Sequence, residues 1–274
     1  MAVTYGDGKA GQFAKRKAFR YGTRIIWVSM IAVLVGGALA GFMLGAILRL
    51  RSGGLRSLSA HVWALAVLEV AIVAGFLLGL RRLHKYTDKL ARERITWLRG
   101  AQGEALVAWY LRDLPNTWHV FNNVELWKQG DLDHVLIGPG GLFCISTKAN
   151  RGLYTVAPGG KYSLNGQETD HIHEAQRLAM ELKDRLQGIL GDVPWIQPVL
   201  VAPFAYIEFD TYQKPAWVLH EENLPNVFED APVKLKTAEI ERYAKGVEMI
   251  AENARNVYVQ PNRGEGTRGA THRR

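Results

Sequence analysis

Two acids, a hydroxyl and a lysine lie close together in one stretch of this chain, QGDLDHVLIGPGGLFCISTKANRG. Asp131 and Asp133 are two residues apart, as are Ser146 and Lys148. Side chains alternate faces along a strand, so each pair shares one face of its strand. If the two strands pair with those faces joined, a carboxylate, a hydroxyl and an ammonium converge. A carboxylate holds Mg²⁺ through oxygen. Such a metal activates water and stabilises charge building on a phosphate, while a lysine orients the water or neutralises the phosphate. The competing reading is a solvated Asp and Lys on paired strands. The turn between them, Gly138-Pro139-Gly140-Gly141, lacks the Lys-Ser/Thr of a P-loop and does not lead into a helix, so a hairpin turn suffices to explain it.

Other residues with chemical potential have plainer explanations. His171, His173 and Glu174 open a helical segment, and a His-x-His pair with an acid could bind a transition metal. His171 and Glu174 share a face at i, i+3, but His173 points away, which favours ordinary polar residues at a helix start. His134 faces the side of its strand opposite to Asp133 and reads as structural. Cys144, the one cysteine, lies in an apolar strand and reads as core. A single cysteine excludes an internal disulfide framework and any zinc site built from several cysteines.

The elements that must position these residues alternate between helix and strand. Apolar spacing predicts helices over 87–114, 169–190 and 233–257, with a short one over 221–228. Strands are expected at 118–126, 131–138, 142–148, 195–203 and 216–219, with a small hairpin from 153–156 and 161–164. Residues 260–274 are polar and Gly/Arg-rich, which predicts disorder. No internal repeat is evident.

In this order the pieces resemble a known family. From about Ile95 to Glu229 the chain is similar to a NERD domain, the nuclease-related domain of the PD-(D/E)XK, restriction-endonuclease-like class. Gly103-Glu104 sits in a first helix, ahead of the WHVFNN strand at 118–123. GDLDHV at 130–135 matches the family's Gly-x-Ile-Asp-His-Val element, and Ile137-Gly138-Pro139 with Gly141 matches its turn. Thr147-Lys148, with Gly152 after it, matches Glu-Thr-Lys-Asn…Gly, and Gln176 and WIQPVLVAP follow in place. The resemblance implies an α/β fold, a mixed sheet flanked by helices. It implies that Asp133 binds metal, Lys148 is the catalytic lysine, Glu104 completes the metal shell and Gln176 supports the site. Mg²⁺ is the implied cofactor and DNA the implied substrate. The departure is Ser146, where the family usually places Glu, the second metal carboxylate. Either another acid substitutes, Glu104 or Asp131, or the activity is lost. Loss of one oxygen ligand predicts poor Mg²⁺ affinity and better function with Mn²⁺.

The first third of the chain is of another kind. The net charge is +8, yet residues 1–94 carry 15 Lys/Arg against 4 Asp/Glu, and the remainder 19 against 22. The basicity therefore belongs to the N-terminal part and is no domain-wide nucleic-acid footprint. With 48% apolar and 22% charged residues, global disorder is excluded. Ile25–Leu48 is uncharged throughout, and Ala60–Leu80 is broken only by Glu69. Each exceeds the roughly 20 residues that span a bilayer, and in lipid a helix is the state that satisfies the backbone. A cleaved signal peptide competes, because Ala38-Leu39-Ala40 looks like a cleavage site, but the run continues to Leu48. A two-helix transmembrane hairpin is thus expected ahead of the nuclease-like part, with Trp27 and Trp63 as interface anchors.

Positive residues number six before the first run, three between the runs and six after the second. That distribution predicts both ends in the cytoplasm, with residues 49–59 as an external loop and 81–94 as a basic juxtamembrane linker. Lys/Arg in 81–99 suit anionic lipid headgroups as partners. Gly37, Gly41, Gly45, and Gly75, Gly79 are spaced for close helix packing, within the hairpin or in a homodimer. Glu69 reads as a protonated or hydrogen-bonded packing residue, with a functional pathway as the alternative. Two classes of function remain: a membrane-anchored, metal-dependent nuclease, or a catalytically degraded relative that binds nucleic acid or protein at the membrane.

Overall fold

The computed structural model describes residues 1–6, 10–52, 60–126, 130–157, 161–209 and 215–259. The elements run β1 (Val3–Tyr5), α1 (Gln12–Ser52), α2 (Ala60–Leu111), β2 (His119–Leu126), β3 (Gly130–Gly138), β4 (Gly141–Thr147) and β5 (Gly152–Ala157). They continue with β6 (Lys161–Leu164), β7 (Gln167–Glu168), α3 (His171–Leu190), β8 (Ile196–Val201), β9 (Ala205–Ile207), β10 (Trp217–Leu219), α4 (Leu224–Glu229) and α5 (Thr237–Val259). Two compact units result, one of Met1–Phe13 with Arg99–Arg274, the other of Ala14–Leu98.

The first unit is mixed α/β. Its main sheet has the order β1-β2-β3-β4-β8-β10. The pairs β2–β3 and β3–β4 are antiparallel, while β1–β2, β4–β8 and β8–β10 are parallel. A second sheet has the order β7-β6-β5-β9. β4 is buried along nearly its whole length because both faces of the main sheet are covered. On one face Val135, Ile137, Leu142 and Cys144 pack with Leu182 and Leu186 of α3 and Val247 of α5. On the other, Leu136, Phe143 and Ile145 pack with Val107 and Leu111 of α2 and Phe228 of α4. Cys144 is a free, buried core thiol, as expected.

Several elements differ from the sequence expectation. The helix expected over 87–114 is the C-terminal part of α2, which also includes Ala60–Leu80 and residues 81–94. The small hairpin at 153–164 is built, but it joins β7 and β9 in a sheet of its own. β1 lies within residues 1–24, which the charge pattern predicts to be a basic cytoplasmic tail, yet it is an edge strand parallel to β2, with Val3 opposite His119 and Tyr5 opposite Phe121. Tyr5 stacks on Phe121 with ring centroids 4.3 Å apart.

In the second unit, among the described residues, one helix is long and apolar enough to cross a membrane, the 34 residues Gln12–Gly45 of α1, and none of its apolar window is buried. Ala60–Leu80 is helical, but the side chains of Trp63 and Glu69 lie outside the described residues. Residues 53–59 of the expected external loop and the expected disordered tail, 260–274, also lie outside them. Buried Ala14, Ala18 and Leu90 mark where α1 and α2 pack. A Cβ on Gly22 would stand 3.3 Å from Arg94 Nε, and one on Gly36 3.1 Å from Phe76. The glycines expected to seat this packing do not: a Cβ on Gly37, Gly41, Gly45, Gly75 or Gly79 would meet nothing within 4 Å among the described residues.

Candidate active site

The register of the central hairpin decides which side chains meet. His134 pairs with Ile145 and Gly138 with Gly141, so the loop is only Pro139-Gly140. One step beyond His134–Ile145, Asp133 falls opposite Ser146, and residues directly opposite share a face. Asp133, Ser146 and, two residues on, Lys148 therefore stand on the face covered by α3. The β4–β8 pairing runs to Thr147–Val201, and Lys148 N–H donates to the Val201 carbonyl at 2.9 Å, which fixes the backbone where Lys148 emerges.

Three of the carboxylates are each held by a backbone donor or a cation. Thr147 N–H donates to Asp133 Oδ2 at 2.6 Å. Gly11 N–H donates to Glu104 Oε2 at 2.8 Å. Lys148 Nζ meets Glu174 Oε2 at 2.7 Å. Glu104 comes from α2, which approaches the end of β4 closely at Gly103. A Cβ there would be 3.1 Å from Ala149 Cβ and 3.4 Å from Thr147 Cγ2.

The electrostatics are those of crowded acids. Burial first, and then the charges of Asp133 and Asp131, push the Glu104 carboxyl up to about 8, against a smaller pull from Gly11 N–H and Lys148. Burial also dominates at Asp133 and pushes it up to about 6; the Thr147 N–H and Lys148 pull it down, while Glu174 and Asp131 push it up. Glu104 and Asp133 thus feel each other's charge together with those of Asp131, Glu174 and Lys148. Among the described residues, the three-residue group whose ligand atoms lie within 4.8 Å of one another is elsewhere, at His220, Glu221 and Glu222, so a cation here would rest on the pair Asp133 and Glu104, whose oxygens suit a hard ion such as Mg²⁺ or Mn²⁺. Asp133 and Glu104 each spend one oxygen on a backbone N–H and keep the other.

The other expected residues fall as follows. Ser146 is buried at 3% exposure beside Asp133 and adds no carboxylate. Gln176 is half-buried on α3, about 200° around the helix from Glu174, and makes no described hydrogen bond to the cluster. His171, His173 and Glu174 do not converge as a metal triad. His171 Nδ1 pairs with Tyr154 Oη at 2.7 Å, His173 is exposed and meets the Tyr162 ring edge-on, and Glu174 turns to Lys148. His134 is fully buried and held by Asn122 Oδ1 at 2.7 Å, and burial lowers it to about 3, so it stays neutral.

Sequence reasoning missed two participants. Glu174 was read with the histidines, yet its i, i+3 relation to His171 already set it on a different side of α3 from Gln176. Gly11 gave no signal at all, since nothing local links it to Glu104, 93 residues away. It has φ +69, and a Cβ would stand 2.6 Å from the Ala101 carbonyl oxygen, so only glycine fits.

No curated protein and no solved structure matches the chain. One family model does, and its bounds enclose Glu104, Asp131, Asp133, Lys148, Glu174 and Gln176: over residues 99–203 the chain carries a nuclease-related domain, NERD.

Proposed function

We propose that this is a membrane-anchored, metal-dependent phosphodiesterase of the PD-(D/E)XK class, acting on DNA on the cytoplasmic face. The acidic cluster carries the reading. Asp133 and Glu104 are the residues that would hold one Mg²⁺ or Mn²⁺, each having one carboxylate oxygen besides that bonded to Thr147 or Gly11 N–H. Bound there, such an ion supplies an activated water and charge stabilisation at phosphorus. Lys148, oriented by Glu174, contacts the phosphate and the attacking water, while Gln176 supports α3 beside the site. The oxygen of the water would bond to phosphorus as its proton passes to solvent, the P–O bond to the leaving strand would break with the leaving oxygen taking a proton from solvent, and Asp131 would enlarge the negative field that attracts the cation.

The buried Ser146 favours a second reading, a degraded module that binds nucleic acid or protein without cutting. The deciding assay is cleavage of plasmid and linear DNA by the purified full chain with Mg²⁺ or Mn²⁺. Asp133→Ala and Lys148→Ala should each abolish cutting, and Ser146→Glu should raise metal affinity and rate. Glu174→Gln should slow it by roughly 10–100-fold, the usual cost of losing a residue that orients a site. If neither wild type nor Ser146→Glu cuts DNA or RNA and neither binds metal, the enzyme reading fails and the module stands.

The anchor is read as two spans. Met1–Phe13 and Arg99–Arg274 form one compact unit on either side, in sequence, of the apolar segments. A chain that crosses the membrane through α1 must cross back before residue 99, and Ala60–Leu80 is the stretch able to do it. The six-three-six distribution of positives then favours the NERD side as cytoplasmic. The open glycine rows at Gly37, Gly41 and Gly45 and at Gly75 and Gly79 leave room for a second copy, so a homodimer in the membrane is part of this reading.

A further inference from the structure

A cleft opens between α1 and α2. It has a volume of about 510 Å³, and Phe19, Arg20, Arg24 and Trp27 of α1 and Tyr86 of α2 line it. That is the size of a small-molecule pocket. Arg20 and Arg24 lie one turn apart on the same face of α1, within reach of one anion. Neither has a carboxylate partner among the described residues. Arg24 is the last cation before the uncharged run Ile25–Leu48, so the cleft sits where charge gives way to hydrocarbon. Trp27 and Tyr86 are 58% and 47% exposed, large aromatic surfaces that suit the interface between headgroups and acyl chains. The walls are mostly apolar and the two cations stand at the end of the cleft nearer the N-terminus, ahead of the uncharged run. A free phosphate needs only the cations, whereas a phospholipid uses both.

We propose that this cleft binds an anionic phospholipid, its phosphate held by Arg20 and Arg24 and its upper acyl chains laid against Trp27, Val28 and Tyr86. Guanidinium pairs bind phosphate oxygens in a fork geometry, which gives retention beyond diffuse attraction. The site rests on the membrane-anchored reading and is independent of whether the NERD domain cuts DNA.

The test uses the full chain in nanodiscs containing equal phosphatidylglycerol and phosphatidylcholine, with released complexes weighed by native mass spectrometry. Wild type should retain one phosphatidylglycerol in preference to phosphatidylcholine. Arg20→Gln with Arg24→Gln should weaken that retention about thirtyfold, from the usual contribution of two near-surface cations. Arg81→Gln with Arg82→Gln removes the same charge outside the cleft and should leave it unchanged. Millimolar inorganic phosphate should not displace the lipid. Equal loss from both double variants, equal retention of the two lipids, or displacement by phosphate each overturns the proposal. Alkaline extraction of membranes separates the two claims. A chain that washes off refutes the anchor and the site together, and a chain that stays but shows no lipid preference refutes the site alone.

Discussion

Asp133 and Glu104 are the residues on which the proposed chemistry turns, and both are carboxyls held above their ordinary range by burial and by neighbouring acids. Their titration is therefore a stability signature. A carboxyl that is raised on folding keeps its proton in the native state after the unfolded chain has lost it. The native state then binds more protons, and stability falls as pH rises. For Glu104 that fall should extend from the ordinary carboxyl range near 4.5 up to about 8 and then level off, with Asp133 contributing up to about 6. A divalent cation binds the ionised native form and should remove most of the decline. Thermal unfolding from pH 5 to 9, with Mn²⁺ and with chelator, should give curves that diverge toward high pH. Curves that stay parallel would mean that these carboxyls do not face a common cation.

At the level of elements, the site is assembled from four pieces: α2 brings Glu104, β3 brings Asp131 and Asp133, β4 leads into Lys148, and α3 brings Glu174. A fifth piece, Gly11, donates its N–H to Glu104. Gly11→Ala should destabilise the NERD-bearing unit by roughly 1–3 kcal/mol, from strained φ and collision with Ala101. Differential scanning calorimetry of the full chain measures it, and an unchanged transition would detach the N-terminal segment from the site. The central hairpin and α3 were legible in the sequence because alternating strands around a Gly-Pro-Gly-Gly turn and a clean 3.6-residue repeat are local patterns. β1 was not legible: three residues carry no period, and its stability comes from pairing with β2, more than 100 residues later. The separate small sheet was missed for the same reason, since β9 joins it from a distant part of the chain. Asp133 and Lys148 could be named because their strands are adjacent. Glu174 needed the tertiary packing of α3 over that face.

For the whole molecule, the division of charge follows the division of labour: a basic apolar unit and an acidic-leaning unit that carries the cluster. The compact unit contains both chain segments that flank the apolar helices, and the proposed two-span anchor places the N-terminus and the NERD domain on one side of a membrane. Cys144 is buried, so an introduced cysteine reports without background. In intact cells an impermeant maleimide should label a cysteine at Ser52 and spare one at Thr267; labelling at Thr267 would reverse the orientation. The central claim is that the carboxylates of Asp133 and Glu104 form one divalent-cation site, and calorimetric titration of Mn²⁺ into the detergent-solubilised full chain tests it most directly. The account predicts one ion per chain for wild type, none for Asp133→Ala and tighter binding for Ser146→Glu. A wild type that takes up no Mn²⁺, or an Asp133→Ala chain that binds it equally well, would contradict it.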